Sequence, residues 1–394
     1  MTHRITRRQA GSLALAGLAA PAIGRAQADE IVFGASVPLT GVFAFAGVGV
    51  HAGLGDCVKM TNDAGGIGGR RVRYVAEDTG YRVEQSVGVF NRIMSQDRPL
   101  LYYGDSTGFS KTIYPEVARR GGPLMAGASF ATELNDPQKF PLQFMAGPDY
   151  SEMFIILLRA IAREKPDARV ALVYSDTEFG RDPIPTAERD SAALGLRIVE
   201  KIVTPPGSVD VSTEVLKLRR ANPDYTIFHG YVLAPIPEFI TQARQIGMRS
   251  AFMGTFWSMD NATVARMGDA ADGFMGVNPY RYWYERDGNV AMLDRIRAMR
   301  PEYQPNAYMQ GFTTALLMLE AARRTLAANR ELSGATLKAS LNSIRDFDTG
   351  GLIGVPVSIP GNSVPVGRVY KFDARAKQML PASEWIRLDA PRAG

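Results

Sequence analysis

Ile31-Val32-Phe33-Gly34-Ala35-Ser36-Val37 is an unbroken run of small and apolar residues that ends at Pro38. Such a run, apolar on both alternating faces, reads as a strand buried inside a parallel sheet. Residues from about 48 to 63 follow with helical spacing and are closed by Gly65-Gly66; Arg71 to Glu77 then reads as the next strand. The pattern continues outward with a helix over 83–95 and short strands at Leu100 to Tyr103 and Pro123 to Ala126, around a helix at about 109–119. It restarts with a helix at 151–163, strand Arg169 to Tyr174, and strands near 197–203, 225–229, 251–254 and 274–277, with helices between them. Alternation of this kind predicts an α/β fold of parallel sheets flanked by helices, with function in the loops after the strands. Asp210 is placed to cap the helix beginning near Val211, and Asn222-Pro223-Asp224 ends it. A long helix over 307–328 carries Tyr308, Phe312, Leu316 and Leu319 on one face, with Pro305 just before it.

At 394 residues the chain is too long for one ordinary core, so two lobes are expected. The formal charge of +5 is misleading. Residues 1–28 hold Arg4, Arg7, Arg8 and Arg25 and no acid; without them 41 basic residues face 40 acidic ones. No basic footprint for nucleic acid remains. The same segment has the layout of an export signal: a basic start, an apolar run from Ala10 to Ala20, Pro21, and Ala26-Gln27-Ala28 as a cleavage-type end. Thr6-Arg7-Arg8 suggests twin-arginine export, whereas Ala10-Gly11 in place of a bulky apolar pair leaves an ordinary Sec signal equally open. The expectation is a periplasmic product, soluble after cleavage, with no lipid anchor because no cysteine sits at the cleavage point. The lone Cys57 cannot form an internal disulfide and shares helical spacing with Val50 and Leu54, which places it toward a core.

Short chemical motifs are missing. The three histidines, His3, His51 and His229, form no metal-ligand spacing with cysteine or carboxylate. Gly65-Gly66-Ile67-Gly68-Gly69 stands between a helix and a strand, the wrong order for a phosphate cradle, and reads as a tight turn. No cofactor, metal or catalytic residue is expected.

Val37-Pro38-Leu39-Thr40-Gly41 followed by Gly47, then Asn62-Asp63-Ala64-Gly65-Gly66-Ile67-Gly68-Gly69-Arg70 and Glu77-Asp78, resembles the branched-chain amino-acid-type periplasmic binding proteins of ABC transporters. Phe252-Met253-Gly254 and Gly268-Asp269-Ala270-Ala271-Asp272-Gly273 extend the resemblance, which runs from about residue 30 to 388. It implies two Rossmann-like lobes, 29–146 plus 280–352 and 147–279 plus 353–394, joined by hinge crossings near 145–149, 277–281 and 350–356. It also implies a monomer that closes on a small solute and delivers it to an ABC permease complex in the inner membrane. A sensory receptor with the same lobes is the competing reading; an exported enzyme on this scaffold is a third.

The resemblance points to the helix start at Gly104-Asp105-Ser106-Thr107-Gly108 as the place for a ligand carboxylate, with Ser106 and Thr107 as donors, though either could serve as a plain helix cap. Asp105 could accept from a ligand amine or bond its own turn. Ala128, Ser129 and Phe130 follow the next strand as head-group candidates. Phe179, Tyr231, Phe256 and Trp257, each after a predicted strand, are expected to wall the pocket, with Phe45 and Tyr308 as weaker additions. Two departures from the amino-acid binders stand out. Thr255-Phe256-Trp257-Ser258 carries no acid before Asp260 where those proteins hold the ligand ammonium, and Ala46 replaces a bulky aromatic. Burying an ammonium without a charged partner is costly. The favoured solute is therefore an aromatic or other hydrophobic carboxylate without an α-amino group; branched-chain or other amino acids and amides are the alternative.

Overall fold

The structure, a computed structural model, describes residues 30–388, so the export signal expected over 1–28 lies outside the described residues. Every residue of β1 (Ile31–Val37) is buried, as its two apolar faces demand. It pairs in parallel with β2 (Val72–Asp78) on one side and β3 (Leu101–Gly104) on the other, and β4 (Leu124–Gly127) completes a four-stranded sheet in the order β2-β1-β3-β4. Helices α1 (Ala44–Asp63), α2 (Val83–Gln96) and α3 (Thr107–Arg120) connect these strands. Helix α4 (Tyr150–Glu164) opens the second half. There β5 (Arg169–Ser175), β6 (Arg197–Thr204), β7 (Tyr225–His229), β8 (Ala251–Gly254) and β9 (Met275–Asn278) run parallel in the order β9-β8-β7-β5-β6.

The C-terminal strands are absent from the sequence reading. β10 (Val366–Asp373) lies antiparallel against β9, and it carries β11 (Gln378–Pro381) and β12 (Ile386–Arg387) antiparallel to itself. The second sheet is therefore mixed at one edge. The chain passes between the two sheets three times: between β4 and α4, after β9, and before β10. Among the described residues no helix is long and apolar enough to cross a membrane.

Local chemistry explains most element ends. Asp149 and Glu152 form a reciprocal capping box at the start of α4. Asn222 ends the helix Ser212–Ala221 in the left-handed conformation, at φ 44°. Asp210 is one position too early to be that helix's cap: Val211 occupies the cap position, and the Asp210 carboxylate instead receives the Ser212 N–H (3.1 Å) and hydroxyl (2.7 Å). Cys57 is buried, as its helical spacing suggested, and burial pushes its thiol acidity well out of the reactive range.

Helix α1 packs along the long helix Asn306–Ala327 at very short range, which its glycines permit. A Cβ at Gly53 would stand 2.3 Å from the Tyr308 carbonyl oxygen, and one at Gly311 would stand 2.5 Å from the Val50 carbonyl oxygen. Both obstacles are backbone and cannot rotate away. The pair is further tied by the Tyr308 hydroxyl, which donates to Asp56 (2.9 Å), and by Arg300, which grips the same carboxylate (2.6 and 3.1 Å). Gly53→Ala is expected to destabilise the protein by about 1–3 kcal/mol through overpacking. Urea unfolding measures this, and an unchanged midpoint would contradict the close-packed helix pair.

Candidate functional site

In an open parallel sheet, the strands on either side of the point where the chain reverses its direction of travel diverge, leaving a crevice at their carboxyl ends. β1 and β3 flank that point in the first sheet, and β5 and β7 in the second. The loops leaving these strands meet around a cavity whose empty space, counted with its opening to solvent, is about 410 Å³. Pro38 and Ala46 enter after β1, Asp105 to Thr107 after β3, Phe179 after β5, Val232 after β7 and Trp257 after β8.

One end of this cavity is built from hydrogen-bond donors. Ser106 is the cap of α3: its hydroxyl oxygen accepts the Phe109 N–H (3.2 Å) and its proton goes to Asp105 (3.0 Å). Its side chain is thus consumed internally, and what it provides is a fixed helix start. The Ser110 N–H returns to the Ser106 carbonyl, so the N–H groups of Thr107 and Gly108 are the first-turn donors left over. The Thr107 hydroxyl pairs with that of Ser129 (2.8 Å), which also accepts the Ala131 N–H (3.2 Å). Two hydroxyl protons serve one shared bond, so one remains; Thr107 is the member that lines the cavity. N–H groups, a helix dipole and a hydroxyl proton together suit an anion.

Asp105 borders the same space, but its carboxylate is already engaged. Ser86 (2.7 Å), Ser106 (3.0 Å) and Thr79 all donate hydroxyl protons to it. Burial raises its pKa despite these bonds. Asp260, the first acid after Trp257, caps the helix Asn261–Ala265 through the Ala262 (2.9 Å) and Thr263 (3.2 Å) N–H groups and accepts the Asn306 N–H (3.1 Å). It does not line the cavity.

Trp257 reaches from the second sheet toward the first. Its indole N–H donates to the Ala128 carbonyl at 3.1 Å, and the Tyr150 hydroxyl approaches the same oxygen at 3.5 Å. Phe256 (4.7 Å) and Phe130 (6.4 Å between centroids) support the indole from behind, and Phe130 meets Phe256 edge to face. His229 holds the remaining wall. Its Nε2–H donates to the Phe179 carbonyl (2.9 Å), so Nδ1 accepts the Thr255 hydroxyl proton (2.7 Å). Burial lowers its pKa to about 3, which keeps the ring neutral. A further tie spans the sheets at the rim, where Lys111 on α3 meets Glu133 (3.1 Å), Glu178 (3.2 Å) and Asp182 (3.5 Å).

Of the residues singled out in the sequence, Asp105, Ser106, Thr107, Ala128, Phe179 and Trp257 line the cavity. Ser129, Phe130 and Phe256 stand one layer behind, where they orient Thr107 and Trp257. Three others lie elsewhere. The Tyr231 hydroxyl turns away to Thr204 (2.8 Å), and Val232 faces the cavity instead. Tyr308 belongs to the α1 interface described above. Phe45 misses because α1 begins at Ala44, earlier than expected, and presents Ala46 and Val50 one turn apart to the cavity. Sequence reasoning missed Phe43, Tyr81, Tyr103 and Tyr150, which also line it. For Tyr150 a signal existed: Asp149 and Glu152 have capping-box spacing, which puts Tyr150 at the first helical position.

Comparison with known proteins places this geometry. The family described as periplasmic binding protein matches residues 30–378. Leu/Ile/Val-binding protein homolog 8 of Brucella suis is 24% identical over 312 residues, covering 76% of each chain. Homolog 7 of Brucella abortus is 22% identical over 358 residues, covering 87% of this chain and 85% of the relative. Among solved structures, a branched chain amino acid ABC transporter protein from Thermus thermophilus with bound valine superposes with a TM-score of 0.84 at 22% identity, covering 91% of this chain and 97% of that one. The fatty acid ABC transporter substrate-binding protein from Thermomonospora curvata gives a TM-score of 0.80 at 16% identity, covering 92% and 93%. The family match spans nearly the whole described chain, and the protein belongs to the periplasmic binding protein family.

Proposed function

We propose that this protein is the extracytoplasmic solute receptor of an ABC importer and that its solute is a hydrophobic carboxylate, favoured as an aromatic one, without an α-amino group. One observation carries the ligand class: among the described residues the one carboxylate that lines the cavity, that of Asp105, is already engaged by hydrogen bonds. Asp105 accepts three hydroxyl protons, and the Ala128 carbonyl accepts the Trp257 N–H. Donors remain at the start of α3, and the rings of Phe43, Phe179 and Trp257 line the same cavity. An α-amino acid would bury its charge without a partner, a penalty of several kcal/mol. The fold itself imposes no amino-acid ligand, since the Thermomonospora curvata protein of the same fold is a fatty acid transporter component.

In this reading residues 29–146 plus 280–352 and 147–279 plus 353–394 are two lobes that close by hinge motion, and the solute acts by stabilising the closed form. The Lys111 cluster and the Trp257 bond are contacts of that closed form. The protein acts as a monomer that presents itself to the permease in the inner membrane.

Calorimetry tests the ligand class: benzoate- or cinnamate-type acids are expected to bind more tightly than leucine, whereas micromolar leucine binding without response to aromatic acids would sink the reading. Asp105→Asn gives a second check of opposite sign for the two ligand classes. Removing the negative charge beside the anion end is expected to tighten an amine-free acid about tenfold, or about 1.4 kcal/mol. It would weaken any solute whose ammonium leans on Asp105. The same variant reports on pH. Because the folded-state pKa of Asp105 is raised, its contribution to stability is present in acid and falls as pH rises through that pKa. Thermal unfolding of Asp105→Asn across the acid range is expected to lack that fall.

A further inference from the structure

Tyr81 lines the cavity although its backbone, at φ 62°, is in the left-handed region that bulky L residues rarely enter. The turn that holds it is heavily tied. Asp78 accepts the Gly80 (3.0 Å), Leu39 (2.8 Å) and Thr40 (3.1 Å) N–H groups, Arg82 N–H bonds the Thr79 carbonyl (3.0 Å), and Tyr81 N–H bonds the Thr79 hydroxyl (3.3 Å). That Thr79 hydroxyl donates in turn to Asp105, so the turn is fastened to the anion end of the site. The ring packs on Phe43, with centroids 4.2 Å apart.

Packing accounts for the ring but not for the hydroxyl. Among the described residues the Tyr81 hydroxyl has no hydrogen-bond partner; the residue's only side-chain-directed bond is the one its N–H makes to Thr79. A phenylalanine would pack on Phe43 as well. The hydroxyl lies within electrostatic reach of Asp105 and of Tyr150, both of which line the same cavity. Burial raises its pKa well above the ordinary tyrosine range, so it remains a proton donor at neutral pH. A backbone outlier at a binding cavity, kept in place by surrounding bonds, is a sign of a position held for a ligand.

We propose that the Tyr81 hydroxyl is a solute-binding group that donates its proton to the solute carboxylate, opposite the N–H groups of Thr107 and Gly108. The recognition element is then a three-sided anion clamp: helix start, Thr107 hydroxyl and Tyr81 phenol. This inference rests on the carboxylate reading of the site but not on whether the solute is aromatic.

The test is calorimetric titration of benzoate, cinnamate and leucine into the wild-type protein and into Tyr81→Phe, with thermal midpoints of both. The expected result is at least a tenfold loss of affinity in Tyr81→Phe for whichever acid binds the wild type, with an unchanged midpoint because the hydroxyl has no partner within the fold. Equal affinities would overturn the assignment, as would a loss accompanied by a clear fall in midpoint, which would make the hydroxyl structural. If the wild type binds leucine and neither aromatic acid, the aromatic reading fails while the leucine comparison still decides Tyr81. Failure of all three acids to bind the wild type at millimolar concentration would overturn both.

Discussion

The hydrogen bond from the Trp257 indole to the Ala128 carbonyl joins the two sheets at the floor of the cavity. It does two things at once. It brings an aromatic wall from the second sheet against the donor-rich end of the first, and it occupies one of the two acceptor positions of a backbone carbonyl. The layers behind it serve the same end: Phe130 and Phe256 fix the indole, and His229, held neutral by burial, ties the loop of Phe179 to that of Thr255. Around the rim, Lys111 draws together carboxylates from both sides. What remains inside is a space lined by the donors at the start of α3 and by aromatic rings.

The parallel core was legible in the sequence because β1, β3, β4 and β7 are apolar on both faces, a signal that does not depend on distant partners. β10 was not legible: its burial comes from pairing antiparallel with β9, nearly ninety residues earlier in the chain, and no local pattern announces such a partner. The site divides in the same way. Asp105, Ser106 and Thr107 could be placed in the cavity because their turn follows a strand and opens a helix, where the resemblance puts the ligand. Tyr231 and Phe45 were misplaced by a single position in a loop and by a helix that starts early, errors that rotate a side chain from one face to another. Tyr81 was out of reach, since a left-handed tyrosine is dictated by the bonds of Asp78 and Thr79 and not by its own preference.

Asp105 shows how an acid can be retained beside a cluster of hydrogen-bond donors. Three hydroxyls donate to it, so it ties the start of α3 to the turn of Tyr81. The same residue type, less fully bonded, would favour an ammonium. In the function proposed above, the choice between an amino acid and an amine-free acid turns on which acceptors are already occupied.

The most direct measurement is native mass spectrometry of the freshly purified protein followed by identification of the compound released on unfolding. The account predicts a small hydrophobic molecule that bears a carboxylate and no α-amine. Recovery of leucine, valine or another α-amino acid would contradict it.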